Sequence, residues 1–184
     1  MKKIMLLSAV MGSLISANTF AHNIQPNQLL ANVTVSDKGE ITLNGNDVAY
    51  KSWSSTALPG KVRVIQHIAG RSAAKEKNQA MIEAIKVAHF KYQTTTIINA
   101  DDSVVGTGMF VKSSAEKGKK ENAHSQVILD DKSAVKNAWG LREKDSVIIL
   151  LDKTGKVQFV KEGKLTDDEV KEVISRATAL MAKE

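Results

Sequence analysis

The stretch that decides the fold is Val62-Arg63-Val64-Ile65-Gln66-His67-Ile68-Ala69-Gly70-Arg71-Ser72-Ala73-Ala74-Lys75. Its first half is rich in β-branched and other apolar residues, which predicts a buried strand. The run breaks at Ala69 and Gly70, and a helical period follows at once. We therefore expect a central strand that continues into a helix through a tight turn, a place where many α/β proteins hold their functional residues.

Upstream of this stretch, turn residues separate short segments with strand character. The segments are 29–35, 41–43 and 48–53, and together they predict a β-meander. Downstream, the pattern predicts a helix over 73–88, a strand over 92–99, a loop over 100–108, a helix over 109–120, a strand over 126–129, a short helix over 133–140, and a hairpin of 146–151 with 156–161. Thr166-Asp167-Asp168-Glu169 has the capping-box pattern that opens a last amphipathic helix.

Asn78 interrupts the apolar face of the helix predicted over 73–88. A polar residue on such a face is usually satisfied by the backbone. We expect a half-buried side chain hydrogen-bonded to main-chain groups. The alternative is an amide group directed at a binding site.

The N-terminal residues have the features of a signal peptide. Met1-Lys2-Lys3 is positively charged, residues 4–15 are apolar but too few to span a bilayer, and Thr19-Phe20-Ala21 ends in a small residue. We expect cleavage after Ala21, so that residues 1–21 are the signal and residues 22–184 form one domain in the periplasm. A buried N-terminal helix is the alternative. No cysteine is available for a lipid anchor, and no other stretch reaches membrane-spanning length, so no stable membrane anchor is expected.

Composition limits the chemistry that this chain can perform. Of 184 residues, 42% are hydrophobic and 25% charged, as in an ordinary folded domain. The formal charge of +6 includes two lysines of the signal segment, and the remaining excess suits an anionic partner or simply solubility. Export argues against nucleic-acid binding. The sequence contains no cysteine, which excludes disulfides and a thiolate nucleophile.

Several segments resemble known families. Leu58-Pro59-Gly60-Lys61-Val62 resembles the entry to the central strand of peroxiredoxins and membrane-tethered thiol reductases, and Ile148-Ile149-Leu150-Leu151-Asp152-Lys153-Thr154-Gly155-Lys156-Val157 resembles their late hairpin. A longer resemblance, to the YtfJ family of bacterial periplasmic proteins, is carried by Tyr50-Lys51-Ser52-Trp53, Gly60-Lys61-Val62-Arg63-Val64, Gln66-His67-Ile68-Ala69-Gly70-Arg71, Ala74-Lys75-Glu76-Lys77-Asn78, Tyr92-Gln93-Thr94-Thr95-Thr96-Ile97 and Gly108-Met109-Phe110-Val111.

These resemblances imply an α/β, thioredoxin-like fold, with a central mixed sheet flanked by helices and an N-terminal β-meander extension. The YtfJ resemblance also implies a periplasmic protein without redox cysteines. It implies no activity, and no catalytic residue can be transferred from it.

The turn after the central strand contains the candidate site. Redox members of the thioredoxin-like superfamily hold a reactive cysteine pair there, whereas this chain has Arg71 and Ser72, so thiol–disulfide exchange is excluded. Helix starts favour anions, and basic residues there oppose the helix dipole unless a negative charge lies between them. The candidate residues for a ligand or partner are Gly70, Arg71, Ser72, Lys75, Asp101 and Asp102. Pairing of Arg71 with either aspartate for structural reasons is the alternative.

Two classes of function follow. The preferred hypothesis is a non-enzymatic binding or accessory module, whose partner is an envelope protein or a small anionic ligand. The alternative is a cysteine-independent enzyme, such as a hydrolase, built on Ser72 with Lys75 or on His67 with the two aspartates. Ser72-Ala73-Ala74-Lys75 matches the Ser-x-x-Lys motif of penicillin-binding enzymes, but their Ser-Asp-Asn element is missing. The histidines lack ligand spacing, and we predict neither a metal nor a cofactor.

Overall fold

A computed structural model describes residues 22–88 and 94–183. The predicted signal peptide and the first residues of the strand predicted over 92–99 lie outside these ranges. The strands are β1 (Thr34–Asn44), β2 (Asp47–Ser54), β3 (Arg63–Ala69), β4 (Thr94–Asn99), β5 (Gln126–Asp130), β6 (Ser146–Leu151) and β7 (Val157–Glu162). The α-helices are α1 (Ser72–Lys77), α2 (Gln79–Val87), α3 (Gly108–Glu121), α4 (Ala134–Trp139) and α5 (Asp167–Met181), and Ser55–Ala57 forms one 3₁₀ turn.

The strands form one seven-stranded mixed sheet in the order β2-β1-β5-β4-β3-β6-β7. The three central strands β3, β4 and β5 run parallel to one another, and β6 pairs antiparallel with β3. The expected α/β class with a central mixed sheet flanked by helices is confirmed.

The helices divide between the two faces for a topological reason. The chain moves in one direction from β3 to β4 to β5, and right-handed crossovers therefore place α1, α2 and α3 on the same face. On that face Met81 and Ile85 of α2 join Val173 of α5 in one core, while Ala115 of α3 lies in a second core. On the opposite face, the buried side chain of Trp139 in α4 packs among Ile65, Ile97 and Ile128 of the central strands.

The predicted N-terminal meander is wrong in one respect. The predicted turn near residue 39 does not reverse the chain, and the segments 29–35 and 41–43 are replaced by the single strand β1. A bulge between Val35 and Glu40 absorbs the turn residues, with Gly39 at a φ of 76°. Leu29 forms only an isolated bridge with Lys156. The extension is therefore a hairpin of β1 and β2.

The helix predicted over 73–88 divides at Asn78 into α1 and α2. The Asn78 side chain is fully buried, and neither of its amide atoms has a hydrogen-bond partner in the part of the chain that the structure describes. The expected half-buried, bonded side chain is thus wrong. The capping box of α5 is confirmed, because Glu169 N donates to Thr166 Oγ1 at 3.3 Å and Thr166 N donates to Glu169 Oε2 at 2.8 Å.

Candidate functional site

The turn between β3 and α1 lies against the loop that follows β4. Gly70 N donates to Asn99 O at 2.8 Å, which joins the ends of the two strands. A Cβ at residue 70 would lie 3.0 Å from Asn99 O and 3.2 Å from Ser103 Cβ. Gly70 therefore fits here because the two loops approach more closely than a side chain would allow.

Arg71 links this turn to the neighbouring loop. Its Nε donates to Asp102 O at 2.9 Å, its Nη2 donates to Ser103 O at 3.2 Å, and Nε lies 3.7 Å from Asp102 Oδ1. The Asp102 carboxylate also accepts a hydrogen bond from Lys144 N. The guanidinium and this carboxylate thus connect the turn after β3, the loop after β4 and the segment before β6, which meet at one edge of the sheet. The pairing of Arg71 with an aspartate is therefore present, and it is made with Asp102.

Asp101 belongs to a different network. Its Oδ2 accepts a hydrogen bond from Ser133 Oγ at 2.7 Å, and Asn99 Nδ2 donates to the same hydroxyl oxygen at 3.0 Å. Asn99, at the end of β4, and Ser133, just before α4, are both buried. Asp101 thus supports the packing of α4 and does not join Arg71.

Ser72 and Lys75 are exposed in the first turn of α1. Within residues 22–88 and 94–183, no hydrogen bond connects these two side chains, and Lys75 forms no ion pair. The structure therefore brings a hydroxyl and an ammonium group to the same surface, and it provides no hydrogen bond through which the lysine could activate the serine.

A long groove begins at this turn and runs over the sheet between α2 and α3. We call it the α2–α3 groove, and its volume is about 930 Å³. α2 covers β3 and α3 covers β5, and the side chains of β4 between them form much of its floor. Among its lining residues are Gln66, Ile68, Thr96, Ile98, Phe110 and Val127. Gly70, Arg71, Ser72 and Lys75 also line it, whereas Asp101 and Asp102 do not.

Exposed apolar side chains lie at the turn end of the groove. Val105 is 99% exposed, Met109 is 84% exposed and Phe110 is 74% exposed, and all lie at or just before the start of α3. Sequence analysis did not identify these residues as part of a site. The available signal was the apolar pair Val104-Val105 within the polar, glycine-containing loop 100–108. Large apolar side chains grouped on a surface are typical of an interaction site.

His67 occupies the other face of β3. Its neighbours Gln66 and Ile68 line the groove, and alternation along the strand directs His67 to the core that contains Trp139. Burial, and to a lesser extent the positive charge of Lys136, lower the pKa of His67 to about 4. No hydrogen bond in the described ranges joins it to Asp101 or Asp102, so these groups do not form the base that the enzyme hypothesis requires.

Residues 22–88 and 94–183 contain no group of three or more histidine, cysteine, aspartate or glutamate side chains placed to hold a metal ion. Within the same ranges, no helix is both long enough and apolar enough to cross a membrane.

Comparison with known proteins places this geometry in context. The family described as "Bacterial protein of unknown function (YtfJ_HI0045)" matches residues 24–180. The chain is 62% identical to an uncharacterized protein of Haemophilus influenzae, over 98% of this chain and 99% of that one. It is 44% identical to the uncharacterized protein YtfJ of Escherichia coli, over 98% of each chain.

Solved structures share the fold at low sequence identity. A putative protein disulfide isomerase from Bacteroides thetaiotaomicron superposes with a TM-score of 0.58 at 15% identity, covering 89% of this chain and 93% of that one. A 2-Cys peroxiredoxin from Plasmodium vivax gives a TM-score of 0.55 at 11% identity, covering 84% and 96%. The fold is therefore thioredoxin-like. Since this chain has no cysteine, the thiol chemistry of a disulfide isomerase or a peroxiredoxin is not transferred with the fold.

Proposed function

We propose that this chain, which belongs to the YtfJ family of bacterial proteins, is exported to the periplasm and binds a ligand or partner in its α2–α3 groove. The chain has a thioredoxin-like fold and no cysteine, so this fold operates here without a thiol couple. A binding module fits these two facts because it needs a surface and no reactive group.

The observation that carries the proposal is the groove itself. Its floor includes the apolar Ile68 and Ile98 beside the polar Gln66 and Thr96, and the exposed ring of Phe110 lines the turn end. Burying exposed apolar surface stabilises a complex by roughly 25 cal/mol per Å² before the costs of association. A groove of about 930 Å³ has the size and apolar lining of a ligand site.

The contacts of Arg71 give the turn end of the groove a fixed shape. Through Asp102 and Ser103 the guanidinium holds the loop before α3, which contains Val104 and Val105, against the start of α1. We assign Arg71 a positioning role, in which it keeps the two walls of the groove at a constant separation.

The proposal is tested by site-specific photocrosslinking in living cells. A photoreactive amino acid replaces Val105, the exposed neighbour of the lining residue Val104, and the same amino acid replaces the exposed Lys153 of the β6–β7 turn as the matched control. After irradiation, the intact mass of the purified protein reports any attached molecule. We expect an adduct from residue 105 and none from residue 153.

Two further variants connect the adduct with the groove. Phe110→Asp should abolish the adduct at residue 105 while the thermal unfolding midpoint is kept. Arg71→Ala should reduce the adduct several-fold, and Arg71→Lys should restore only part of it because lysine cannot reach both carbonyl groups as a fork. The same adduct from residues 105 and 153, or an adduct indifferent to Phe110→Asp, would contradict the proposal.

The export part of the proposal has its own measurement. We expect the intact mass of the protein from the periplasmic fraction to correspond to a chain beginning at His22. A mass that includes residues 1–21 would contradict it.

A further inference from the structure

We propose that the occupant of the α2–α3 groove is a single-chain fatty carboxylate, with its head at the 70–75 turn and its acyl chain along the floor. This inference rests on the proposed function, and it adds the chemical class of the ligand. It is carried by the shape of the groove, by the apolar part of its floor and walls, and by the distribution of charge along it.

The groove is long and follows the strands. It extends from the carboxyl end of β3, at Ala69 and Gly70, to the amino ends of β4 and β5, near Thr94 and Ser125. Six-residue strands such as β4 span about 20 Å at a rise near 3.3 Å per residue. A groove of that length can take an extended acyl chain along its whole extent.

The apolar part of the floor lies nearest the turn, and apolar side chains of the two walls continue beyond it. Farther from the turn the floor also contains the polar side chains of Gln66, Thr94 and Thr96. Ile68 and Ile98 are neighbours in the β3–β4 register, and Val127 continues the floor on β5. Phe110 of α3 belongs to one wall at the turn end of the groove, and Ile85 of α2 belongs to the other wall toward the amino end of β4. Each buried methylene group should tighten binding about fourfold, so affinity should rise steeply with chain length.

The charged residues that line the groove favour an anion. They are Arg71, Lys75, Lys86, Lys120 and Glu121. Two of the cations are paired, since Arg71 contacts Asp102 and Lys86 lies 3.1 Å from Glu83, and Glu121 lies 3.8 Å from Lys117. Over the described ranges, Lys75 and Lys120 form no ion pair.

Lys75 provides the better head site of these two lysines. It lies one helical turn from the exposed Ser72 hydroxyl, a hydrogen-bond donor, and its neighbour Glu76 is not among the residues that line the groove. Lys120 instead lies beside Glu121 on the groove wall, where the carboxylate would repel an anionic head.

The same residues favour a carboxylate over a phosphate. Phosphate recognition usually employs an arginine fork or several donors. The Arg71 guanidinium is engaged with two carbonyl oxygens and Asp102, which leaves one ammonium group and one hydroxyl for the head. This set matches a single negative charge.

Isothermal titration calorimetry with defined probes tests the assignment. The probes are dodecanoate, octanoate, dodecyl phosphate and dodecyltrimethylammonium, each below its micellar concentration. We expect dodecanoate to bind the mature protein, octanoate to bind at least tenfold more weakly, and the cationic probe to bind at least tenfold more weakly than dodecanoate. Equal affinity for the anionic and cationic probes would overturn the inference, and tighter binding of dodecyl phosphate would overturn the assignment of the head.

A matched pair of charge reversals locates the head. Lys75→Glu should weaken dodecanoate binding about tenfold, whereas Lys153→Glu, an equal charge change outside the groove, should alter it less than twofold. Both lysines are exposed, so both variants should keep the wild-type unfolding midpoint. Equal effects of the two variants would overturn the placement of the head at the turn.

The two proposals fail in different ways. If the crosslink at residue 105 depends on Phe110 but dodecanoate does not bind, the groove is a binding site and the ligand class is wrong. If the crosslink is also absent, the proposed function fails together with the inference.

Discussion

At the scale of single residues, neighbouring polar side chains around the 70–75 turn have different interaction partners. Asp101 and Asp102 are adjacent in sequence, yet Asp102 pairs with Arg71 while Asp101 accepts a hydrogen bond from Ser133. Consecutive residues in a loop point in different directions, and a sequence cannot tell which aspartate meets the arginine. Structural pairing of Arg71 with one of the two aspartates, the alternative to a ligand site, is present with Asp102, as expected for a cation at a helix start.

The buried His67 makes stability dependent on pH. Its pKa in the folded protein is about 4, below the unfolded value near 6.5, so the unfolded chain binds a proton in this range and the folded protein does not. The contribution to stability is complete above pH 6.5 and is lost as pH falls toward 4. We expect the free energy of unfolding to fall by about 2 kcal/mol between pH 7 and pH 5 on account of this residue.

Urea unfolding at pH 7 and pH 5 checks this prediction. The variant His67→Leu removes the titrating group while keeping an apolar side chain in the core, so its stability should change much less between the two pH values. An equal loss in wild type and variant would show that other groups cause the pH dependence.

At the scale of elements, the structure differs from the predicted pattern where backbone geometry overrides residue type. Turn-forming residues around Gly39 predicted two strands, but the chain passes through them as a bulge within β1. Similarly, the apolar periodicity over 73–88 resumes after Asn78 and predicts one helix, although the helix divides there. Periodicity reports which face is buried, and it does not report whether the hydrogen-bond ladder is continuous.

The bulge at Gly39 gives a sharp prediction. Its φ is +76°, and an added Cβ would lie 2.2 Å from Lys51 O of the paired strand. Gly45, in the hairpin turn, has a φ of +61° and no atom within 4 Å of an added Cβ. We expect Gly39→Ala to cost about 3 kcal/mol, since it combines backbone strain with a clash, and Gly45→Ala to cost about 1 kcal/mol from strain alone. Chemical denaturation of both variants measures the difference, and equal costs would contradict the account of the bulge.

At the scale of the whole molecule, the two faces of the sheet are covered unequally. On one face α4 and the N-terminal residues close over a core that contains the fully buried Trp139. On the other face α2 and α3 cover separate cores, and within residues 22–88 and 94–183 the surface over β4 between them forms the α2–α3 groove. The two crossovers β3 to β4 and β4 to β5 move in the same direction, so α2 and α3 lie on the same face of the sheet. The groove is the space between these two helices.

This unequal covering predicts different responses to mutation. Trp139→Ala should cost about 3–5 kcal/mol, because it removes a buried ring and the hydrogen bond from Nε1 to Ala31 O. Phe110→Asp should change stability by less than about 0.5 kcal/mol, because the ring is 74% exposed. Thermal and urea unfolding measure both. A large loss of stability in Phe110→Asp would show that this ring supports the fold and is not available to a ligand.

The sequence by itself determined the fold class, the strand–turn–helix at 62–75 and the absence of thiol chemistry. These properties depend on local periodicity and on residue type, and both can be read directly from the primary structure. Only the tertiary structure decided that Asp102 pairs with Arg71, that Asp101 serves α4, and that the surface over β4 forms a groove between α2 and α3. Those outcomes depend on the relative placement of helices whose packing joins residues distant in sequence, such as Ile68, Ile98 and Phe110 in one groove.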